Sequence, residues 1–481
     1  MIKKVVKWQS ISSIITFSLS LLQVGILARI LSLTDFGLVA IVMVVINISQ
    51  VLSDLGMANY LVYKQKSTAL LNSTVFWVCL ISGVSLLLLL CLIAPLISSL
   101  YSKPEISYLL PMAGLGFIPI SLSSQLQSRY ICAFRLNELA KFDIMSKLIG
   151  TISAIFAAYS GMGAVSIIIS GLSASVMKCI FVWYFSDSEW KPKFQFSFKE
   201  AKNALGYGVY QIGSQVINQF RGNLDTLLLG LYIDKSQLGA YSLAKQLIQK
   251  PAAFILPVVQ KICLPLFASL QLDGQKLKTN IVLSHNYVAI LIIFPYALMC
   301  YLHKDITTLM YGDGKLEVAE FVIPLALFWM FRTVGGALVG PLTQGIGKTN
   351  VDFYWNLSVL GLFSSLCVWL APLGAYTLAW GIAILQGILM HFVYVVFFRK
   401  IVNLEYKSFI NPIMLYSTLS VVAIGISSLL FSSFDVYLGF FYIIVISSLS
   451  STILFYLLCY HFGNDSINLP NPYSIFNLQI R

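Results

Sequence analysis

The chain has 481 residues, of which 58% are hydrophobic and only 10% are charged, and its mean hydropathy is +0.84. A soluble chain would carry about 25% charged residues, so this composition excludes a soluble globular protein and indicates an integral membrane protein. The net charge of +12 is attributed to Lys and Arg in cytoplasmic loops, and we expect no nucleic-acid partner.

A membrane-spanning helix needs about 20 mostly apolar residues. Read with that window, the sequence predicts an all-α membrane protein with about fourteen transmembrane helices. In chain order the predicted spans cover residues 9–31, 36–60, 72–98, 106–132, 142–159, 163–185, 203–232, 238–270, 281–301, 321–346, 353–370, 375–398, 412–431 and 436–461.

The loops between these spans differ in charge from one side to the other. Twenty of the 31 Lys and Arg residues fall on one side and five on the other, and the rest lie within spans or near their ends. Basic residues are retained on the cytoplasmic side of a membrane. The bias therefore predicts that both termini are cytoplasmic, which agrees with an even number of spans.

The longest polar interruption is SDSEWKPKFQFSFKEAK, residues 186–202. Aromatic side chains favour the interface between lipid and water. We therefore expect four of them to face the membrane surface, namely Trp190, Phe194, Phe196 and Phe198.

Two pairs of segments resemble each other at a similar offset along the chain. ARILSLTDFGLVAIV aligns with GLYIDKSQLGAYSLA and places Gly37 over Gly239. FRLNELAKFDIMSKLIG aligns with GIGKTNVDFYWNLSVLG and places Gly150 over Gly361. Such self-similarity predicts an internal repeat, and both copies begin on the cytoplasmic side, so the repeat is parallel.

The repeat sets the predicted domain organisation. Residues 1–190 and 203–400 form two six-helix bundles, joined by a cytoplasmic linker at 191–202, and residues 401–481 add two helices and a tail. Transporters built from parallel repeats alternate access by rocking one bundle against the other around a site between them.

No motif in the chain supports nucleotide, metal or cofactor binding. GPLTQGIGKTN ends in the Gly-Lys-Thr of a P-loop, but a P-loop needs a glycine five residues before Gly347, where this chain has Leu342. It also needs a preceding strand, whereas a membrane span precedes this stretch. We therefore predict a glycine-rich cytoplasmic turn and no nucleotide. The eight Cys and four His form no ligand pattern.

Three stretches resemble Wzx-type polysaccharide flippases of the multidrug/oligosaccharidyl-lipid/polysaccharide exporter superfamily. They are LARILSLTDFGLVAIVMVVINISQVLSDLGMANYLV, NLDTLLLGLYIDKSQLGAYSLAKQL and GIGKTNVDFYWNL. The resemblance covers roughly residues 8–400 and is strongest to the subgroup that contains the colanic acid exporter.

This resemblance implies a function in surface polysaccharide biosynthesis. Such proteins move undecaprenyl-pyrophosphate-linked oligosaccharide repeat units from the cytoplasmic to the periplasmic leaflet of the bacterial inner membrane, without enzymatic activity. The implied fold is two six-helix bundles forming a V around a cationic cavity, with two further helices. Membrane lipid, the polysaccharide polymerase and the chain-length regulator are implied partners.

Charged side chains within spans are costly and usually face a cavity or a partner. We expect the cations that bind substrate in the cavity at Arg332, Arg221, Lys178 and Lys245. The two arginines suit a pyrophosphate best, because a guanidinium can bond two oxygens at once whereas lysine acts as a point charge.

Four further residues are candidates for charge pairing or ion coupling, namely Asp225, Asp54, Asp143 and Lys147. Asp225 lies four residues after Arg221, and Lys147 lies four residues after Asp143, a spacing that lets side chains pair on one helix face. Asp54 and Asp225 are also the positions through which transport could couple to protons or Na⁺. At both positions, a structural hydrogen bond is the alternative to ion coupling.

Two other functions are weighed against the flippase. An ion-coupled multidrug or small-molecule antiporter of the same superfamily would want acidic residues deep in the cavity, whereas the deep charges here are mainly basic. A membrane-embedded polymerase would need large loops, and the largest predicted periplasmic loop, 302–320, lacks an evident active-site pair. The antiporter is therefore retained as the alternative, and we expect no enzyme.

Overall fold

A computed structural model describes residues 2–53, 61, 68–133, 135–186, 192–432 and 448–457. Within these ranges all regular structure is helical, so the predicted all-α class is confirmed. Twelve of the described helical segments are long and apolar enough to cross a membrane.

Two of the fourteen predicted spans are not among those twelve. The predicted seventh span forms a 35-residue helix, Phe198–Tyr232, whose sequence is rich in Gln, Asn and charged residues. The predicted fourteenth span lies mostly outside the described residues, where only Ser448–Leu457 is described, as a short apolar helix. The count of fourteen therefore stays a prediction.

The chain divides into two compact units, Met1–Ser242 with Cys367–Ala375, and Leu243–Leu366 with Tyr376–Arg481. This division groups residues that contact one another. The bundles predicted at 1–190 and 203–400 are instead set by the internal repeat. The predicted bundle boundaries, linker and tail stay a prediction.

Among its described residues the first unit contains eight complete α-helices, the start of a ninth and, at Cys367–Ala375, the last turn of a later helix. They are α1 (Ile2–Ile30), α2 (Leu33–Ser53), α3 (Ala69–Leu100), α4 (Ile106–Gly114), α5 (Phe117–Cys132), α6 (Leu136–Tyr159), α7 (Val165–Tyr184), α8 (Phe198–Tyr232) and the first turns of α9 (Lys235–Ser269). Helix α6 packs against α7 and α1, α3 packs against α4 and α5, and α2 packs against α8.

The described helices of the second unit follow the rest of α9. They are α10 (Gly274–Tyr301), α11 (His303–Tyr311), α12 (Ala319–Gly336), α13 (Val339–Gly345), α14 (Thr349–Leu370), α15 (Ala375–Val393), α16 (Lys400–Val402), α17 (Tyr406–Ser432) and α18 (Ser448–Leu457). A π-helical turn, Tyr394–Arg399, joins α15 to α16. Helix α10 packs against α12 and α17.

Side-chain caps fix where three of these helices begin. The oxygens of Thr68, Ser197 and Asp273 accept hydrogen bonds from backbone N–H groups in the first turns of α3, α8 and α10. Such caps satisfy donors that have no partner within the helix, and each contributes about 1 kcal/mol. The short polar turns in the sequence therefore position the membrane helices.

The glycine-rich end of the tenth predicted span breaks into two helices. Helix α12 ends at Gly336 and α13 begins at Val339, and Pro341 in the first turn of α13 has no N–H with which to continue the preceding helix. Gly335 lies so close to Met390 of α15 that a Cβ atom there would be crowded by its side chain. The small residues thus allow both a bend and close packing.

The Gly-Lys-Thr stretch is a turn between two helices, as predicted. Leu342 is fully buried within α13, and no strand precedes it in the described chain. Gly347 has a φ of +73°, a conformation that favours glycine. The backbone N–H of Lys348 then donates to the carbonyl of Thr343 at 2.8 Å, which closes the end of α13.

Three aromatic side chains at and just before the start of α8 are exposed, and their position at the membrane surface stays a prediction. The exposed fractions are 94% for Phe194, 44% for Phe196 and 85% for Phe198. Trp190 lies outside the described residues. Trp77 of α3 fixes the segment, since its Nε1 donates to the Lys193 carbonyl at 2.9 Å and its ring stacks on Phe194 at 4.9 Å.

Candidate functional site

Arg332 lies on α12 in the second unit, among aromatic rings. Its guanidinium carbon is 4.9 Å from the centre of the Trp329 ring and 6.0 Å from that of Phe328. A guanidinium over an aromatic face gains a cation–π attraction that strengthens when water is excluded. The rings thus stabilise a charge in an apolar helix, at a residue predicted to receive an anion.

Asp225 on α8 is deeply buried and bonded to a tyrosine. The carboxylate is 3% exposed, and the hydroxyl of the fully buried Tyr241 donates to its Oδ2 at 2.6 Å. Arg221, the predicted partner, precedes it by one helical turn and is partly buried. Tyr241 therefore adds a partner that helix spacing does not reveal.

Lys245 lies one turn after Tyr241 on α9, in the part of that helix that belongs to the second unit. The residue is 8% exposed, so little of its side chain is in contact with solvent or lipid. Tyr296 of α10 is also fully buried, and its hydroxyl donates to the carbonyl of Ile248 at 3.0 Å. This bond holds α9 against α10 beside the predicted cation.

Lys178 and Asp143 form an ion pair between two helices. The Nζ of Lys178 on α7 is 2.8 Å from Oδ1 of Asp143 on α6, and the side chains are 31% and 41% exposed. The sequence offered Lys178 no acidic residue in its own helix, and a carboxylate from the neighbouring helix supplies the partner. The pairing also differs from the one along α6 that the spacing of Asp143 and Lys147 favours.

Lys147 donates instead to an amide inside the first unit. Its Nζ is 2.6 Å from Oε1 of Gln23 on α1, and Nε2 of Gln23 donates to Ser170 on α7 at 2.8 Å. Thr151 also donates to Gln23 Oε1, at 3.3 Å. Gln23 is 6% exposed, so this network links a half-buried lysine on α6 to a buried amide on α1 and a serine on α7.

The remaining predicted candidate, Asp54, lies outside the described residues. The other seven fall in both units, with Lys245 and Arg332 in the second and the others in the first. The substrate and coupling roles assigned to them stay predictions. Among the described residues, no group of three or more His, Cys, Asp and Glu could hold a metal ion.

The two glycines matched by the internal repeat contact each other. A Cβ atom at Gly37 of α2 would overlap the carbonyl oxygen of Lys235, and a Cβ at Gly239 of α9 would overlap that of Leu33. The contact is reciprocal and lies in the first turns of α2 and α9. Gly150 and Gly361, the other matched pair, differ, since Gly150 packs tightly on Ser170 and Gly361 has open space.

Three further bonds join the α3–α4 loop to α8 and α9 in the same unit, and we call them the 101–105 contacts. Tyr101 donates to the carbonyl of Leu227 at 3.1 Å, Lys103 donates to the carbonyl of Gly230 at 3.0 Å, and Lys235 pairs with Glu105 at 2.6 Å. Lys103 is only 5% exposed, and its pKa is lowered by burial and then by the nearby Lys235 ammonium.

The Glu105–Lys235 pair is expected to make stability depend on pH. The hydrogen bond from Lys235 is the largest cause that lowers the pKa of the Glu105 carboxyl. A lowered native pKa contributes stability above the unfolded value, about 4.3, and this contribution is lost as the pH falls through the native pKa. Because the side chains are about one third exposed, the pair contributes about 0–1 kcal/mol.

Glu105→Gln should therefore lower the Tm of the detergent-purified protein slightly at pH 7, and the effect should shrink only as the pH falls below about 4, measured by thermal unfolding from pH 7 down to the most acidic pH at which the protein stays soluble. Asp273→Asn is the control, because it removes a carboxylate from a different loop. The pKa of Asp273 is lowered chiefly by the hydrogen bond from the backbone N–H of Lys276. A difference between wild type and Glu105→Gln that grows with acidity would contradict the assignment.

Sequence reasoning missed Gln23, Tyr241 and Glu105. A neutral amide in an apolar helix and a tyrosine in a chain with 25 tyrosines carry no distinguishing signal. Glu105 is a loop residue, and the carboxylate could be linked to Lys235 only by knowing that two loops meet.

Comparison with known proteins agrees with this architecture. The chain matches the polysaccharide biosynthesis protein family over residues 26–320. It is 30% identical to the amylovoran biosynthesis protein AmsL of Erwinia amylovora over 376 residues, 78% of this chain and 96% of AmsL. It is 24% identical to the lipopolysaccharide biosynthesis protein WzxC of Escherichia coli over 423 residues, 88% of this chain and 86% of WzxC.

Among solved structures, the fold is similar to that of the lipid II flippase MurJ in an inward closed conformation. The TM-score is 0.76 at 16% sequence identity, over 95% of this chain and 99% of MurJ. The apolar helices and the family match identify a multi-pass inner-membrane transport protein rather than an enzyme. The chain belongs to the polysaccharide biosynthesis protein family.

Proposed function

We propose that this protein is a flippase that carries undecaprenyl-pyrophosphate-linked oligosaccharide repeat units from the cytoplasmic to the periplasmic leaflet. The proposal rests on the family match over residues 26–320 and on the sequence similarity to AmsL and WzxC. The MurJ-like fold supports it, because that fold serves a protein named as a flippase of another lipid-linked substrate.

The sign of the buried charges also supports an anionic substrate. Among the described residues, the buried charged side chains on long helices are Lys245 and Asp225, whereas the buried Lys103 and Lys315 lie in the loops at 101–105 and 302–320. The candidate cations Arg332, Arg221, Lys178 and Lys245 thus outnumber the one buried aspartate. The aspartate is bonded to Tyr241. An antiporter that attracts cations would want the opposite balance, so this alternative is less well supported.

In the proposed mechanism the cations Arg332, Arg221, Lys178 and Lys245 attract the pyrophosphate and sugar headgroup, while the polyprenyl tail stays in the bilayer. Arg332 suits this role best, because its charge rests on aromatic rings and a guanidinium can bond two phosphate oxygens. Lys178 is the weakest candidate, since Asp143 offsets its charge. Alternating access then moves the headgroup across, with both termini in the cytoplasm.

The same proposal includes coupling of transport to protons or Na⁺ through Asp225. The alternative is that Asp225 is structural and serves only to bond Tyr241. Asp54 is the other candidate. The polysaccharide polymerase and the chain-length regulator are the proposed partners, because they act on the repeat units that a flippase delivers. No nucleotide enters this scheme.

Deletion of the gene in its native polysaccharide-producing host tests the proposal. Undecaprenyl-pyrophosphate-linked repeat units should accumulate on the cytoplasmic face, measured by extracting lipid-linked oligosaccharide from sealed vesicles of known orientation, and the wild-type gene should restore export. Repeat units reaching the periplasm without the gene would contradict the flippase function. A change confined to drug susceptibility would favour the antiporter.

A further inference from the structure

An open cavity of about 590 Å³ lies in the second unit, where α15 continues through the π-helical turn and α16 toward α17. The positive-inside pattern predicts that this end is cytoplasmic. The volume falls within the range of about 300–1,000 Å³ that is typical of small-molecule sites. The polar lining residues are His391, Tyr394, Arg399, Asn403, Glu405 and Tyr406. None of them belongs to the predicted substrate cations, so the cavity is separate from that proposed site.

Hydrogen bonds fix the loop that shapes this cavity. The backbone N–H of Asn403 donates to the carbonyl of Arg399 at 3.0 Å, and that of Leu404 donates to the carbonyl of Phe398 at 3.0 Å. Asn403 has a φ of +53°, a left-handed conformation that turns the chain out of α16. The hydroxyl of Tyr394 also donates to the carbonyl of Leu404 at 2.9 Å. The lining side chains are therefore carried by an ordered turn.

The lining holds one positive and one negative side chain that do not pair with each other. Arg399 and Glu405 are both exposed, and within the described part of the chain neither side chain forms an ion pair or a hydrogen bond. A guanidinium suits a phosphate, and a carboxylate accepts hydrogen bonds from an ammonium. A plain anion would meet the Glu405 carboxylate, so charge complementarity favours a ligand that carries both charges.

An aromatic wall adds a neutral hydrogen-bond donor. The hydroxyl of Tyr406 lies 2.8 Å from Nδ1 of His391, and its ring packs edge-on against that of Tyr394 at 5.0 Å. When the Tyr406 hydroxyl donates to Nδ1, the neutral imidazole carries its proton on Nε2. Because His391 is exposed and lines the cavity, this N–H group is a donor for a phosphate oxygen.

An exposed apolar helix face leads to the cavity. Ile384 and Ile388 of α15 lie seven and three residues before His391, a spacing that places all three on one face of the helix. Both isoleucine side chains are exposed. In a predicted membrane span this face meets acyl chains, and aromatic rings at its end suit the lipid–water interface. A ligand with a charged head in the cavity and apolar chains on this face is a phospholipid.

We propose that this cavity binds phosphatidylethanolamine from the cytoplasmic leaflet, with the phosphate at Arg399 and His391 and the ammonium at Glu405. This headgroup carries both charges, and its primary ammonium has N–H donors for the carboxylate. Phosphatidylcholine has the same net charge without those donors, and phosphatidylglycerol has a phosphate without a cation. Binding of this lipid is independent of the proposed flippase function, because the site shares no residue with the substrate cations.

Native mass spectrometry of the full-length protein, purified in detergent and depleted of lipid, tests the site. The probes are the palmitoyl-oleoyl forms of phosphatidylethanolamine, phosphatidylcholine and phosphatidylglycerol, with soluble O-phosphoethanolamine as a competitor. The first phosphatidylethanolamine should bind about threefold more tightly than either other lipid, because its headgroup alone matches both charges. The soluble competitor lacks acyl chains and should displace little of the lipid. Full displacement at an equimolar concentration would overturn the lipid as the occupant.

Glu405→Gln should lower the affinity for phosphatidylethanolamine about threefold and leave that for phosphatidylcholine unchanged, so that the preference disappears. Arg399→Gln should lower the affinity for all three lipids about fivefold, because the phosphate is common to them. Lys400→Gln is the matched control, since Lys400 is exposed next to Arg399 in the chain but does not line the cavity. It should keep the preference. Gel filtration establishes which variants fold, and Glu405→Gln carries the test if Arg399→Gln does not fold.

Equal affinity of the wild type for phosphatidylethanolamine and phosphatidylcholine would overturn the site, as would a folded Glu405→Gln variant that keeps the preference. Tighter binding of phosphatidylglycerol than of phosphatidylethanolamine would also overturn it, in favour of an anionic lipid. Loss of the preference in Lys400→Gln would assign it to general surface charge instead. Each of these results leaves the flippase function intact, because accumulation of repeat units in the deletion strain is measured independently.

Discussion

Replacing Gly239 by alanine is expected to lower the Tm of the detergent-purified protein by several degrees and to reduce the amount of folded protein in the membrane. The added Cβ would overlap the backbone carbonyl oxygen of Leu33, and a backbone atom cannot move aside as a flexible side chain can. Overpacking of this kind typically costs about 1–3 kcal/mol. The measurement is a fluorescence-detected thermal melt of wild type and variant.

Gly361→Ala provides the matched control. Gly361 lies within α14, and a Cβ there would meet nothing within 4 Å. Alanine is the better helix former by about 1 kcal/mol, so this variant should match or exceed the wild type in stability. Gly37→Ala should resemble Gly239→Ala, and the double variant should cost less than the sum, because one separation of α2 from α9 relieves both overlaps. Equal stability of Gly239→Ala and Gly361→Ala would refute the close crossing.

Arg332→Ala should reduce polysaccharide export in the native host about tenfold or more, while membrane expression stays normal. A charge-assisted hydrogen bond to the substrate contributes about 1.5–3 kcal/mol, and each 1.4 kcal/mol corresponds to a factor of ten. The loss should appear as lipid-linked repeat units retained on the cytoplasmic face. The measurement is the inside-to-outside ratio of those units together with surface polysaccharide yield.

Two variants separate charge from packing at this position. Arg332→Lys keeps the positive charge but loses the planar fork that binds two oxygens, so it should restore export in part. Arg332→Met keeps an unbranched apolar chain against Trp329 and Phe328 without the charge, and should fail as Arg332→Ala does. Normal export by Arg332→Met would remove Arg332 from the set of substrate cations.

The sequence predicted the helical class and most of the spans because hydropathy is a local property. A run of about 20 apolar residues must cross the bilayer whatever lies beside it, and twelve described segments qualify. The predicted seventh span shows the limit, since its polar composition keeps Phe198–Tyr232 out of that set even though it forms a continuous helix.

The local sequence alone also excludes a P-loop at Gly340–Asn350. A phosphate-binding loop needs fixed glycine spacing and a preceding strand, and Leu342 stands where that glycine is required. The structure then places Leu342 inside a buried helix and Gly347 at a left-handed turn. What resembled a nucleotide site is the turn between α13 and α14.

The sequence by itself determined the helical class, most of the apolar segments long enough to cross a membrane, and that charged residues lie within predicted spans. Only the tertiary structure decided their partners, such as Lys178 for Asp143, Gln23 for Lys147 and Tyr241 for Asp225. Spacing along one helix shows which side chains share a face, but the partner comes from another helix. That partner is set by the rotation and depth at which the helices pack, and these depend on contacts between residues far apart in the chain.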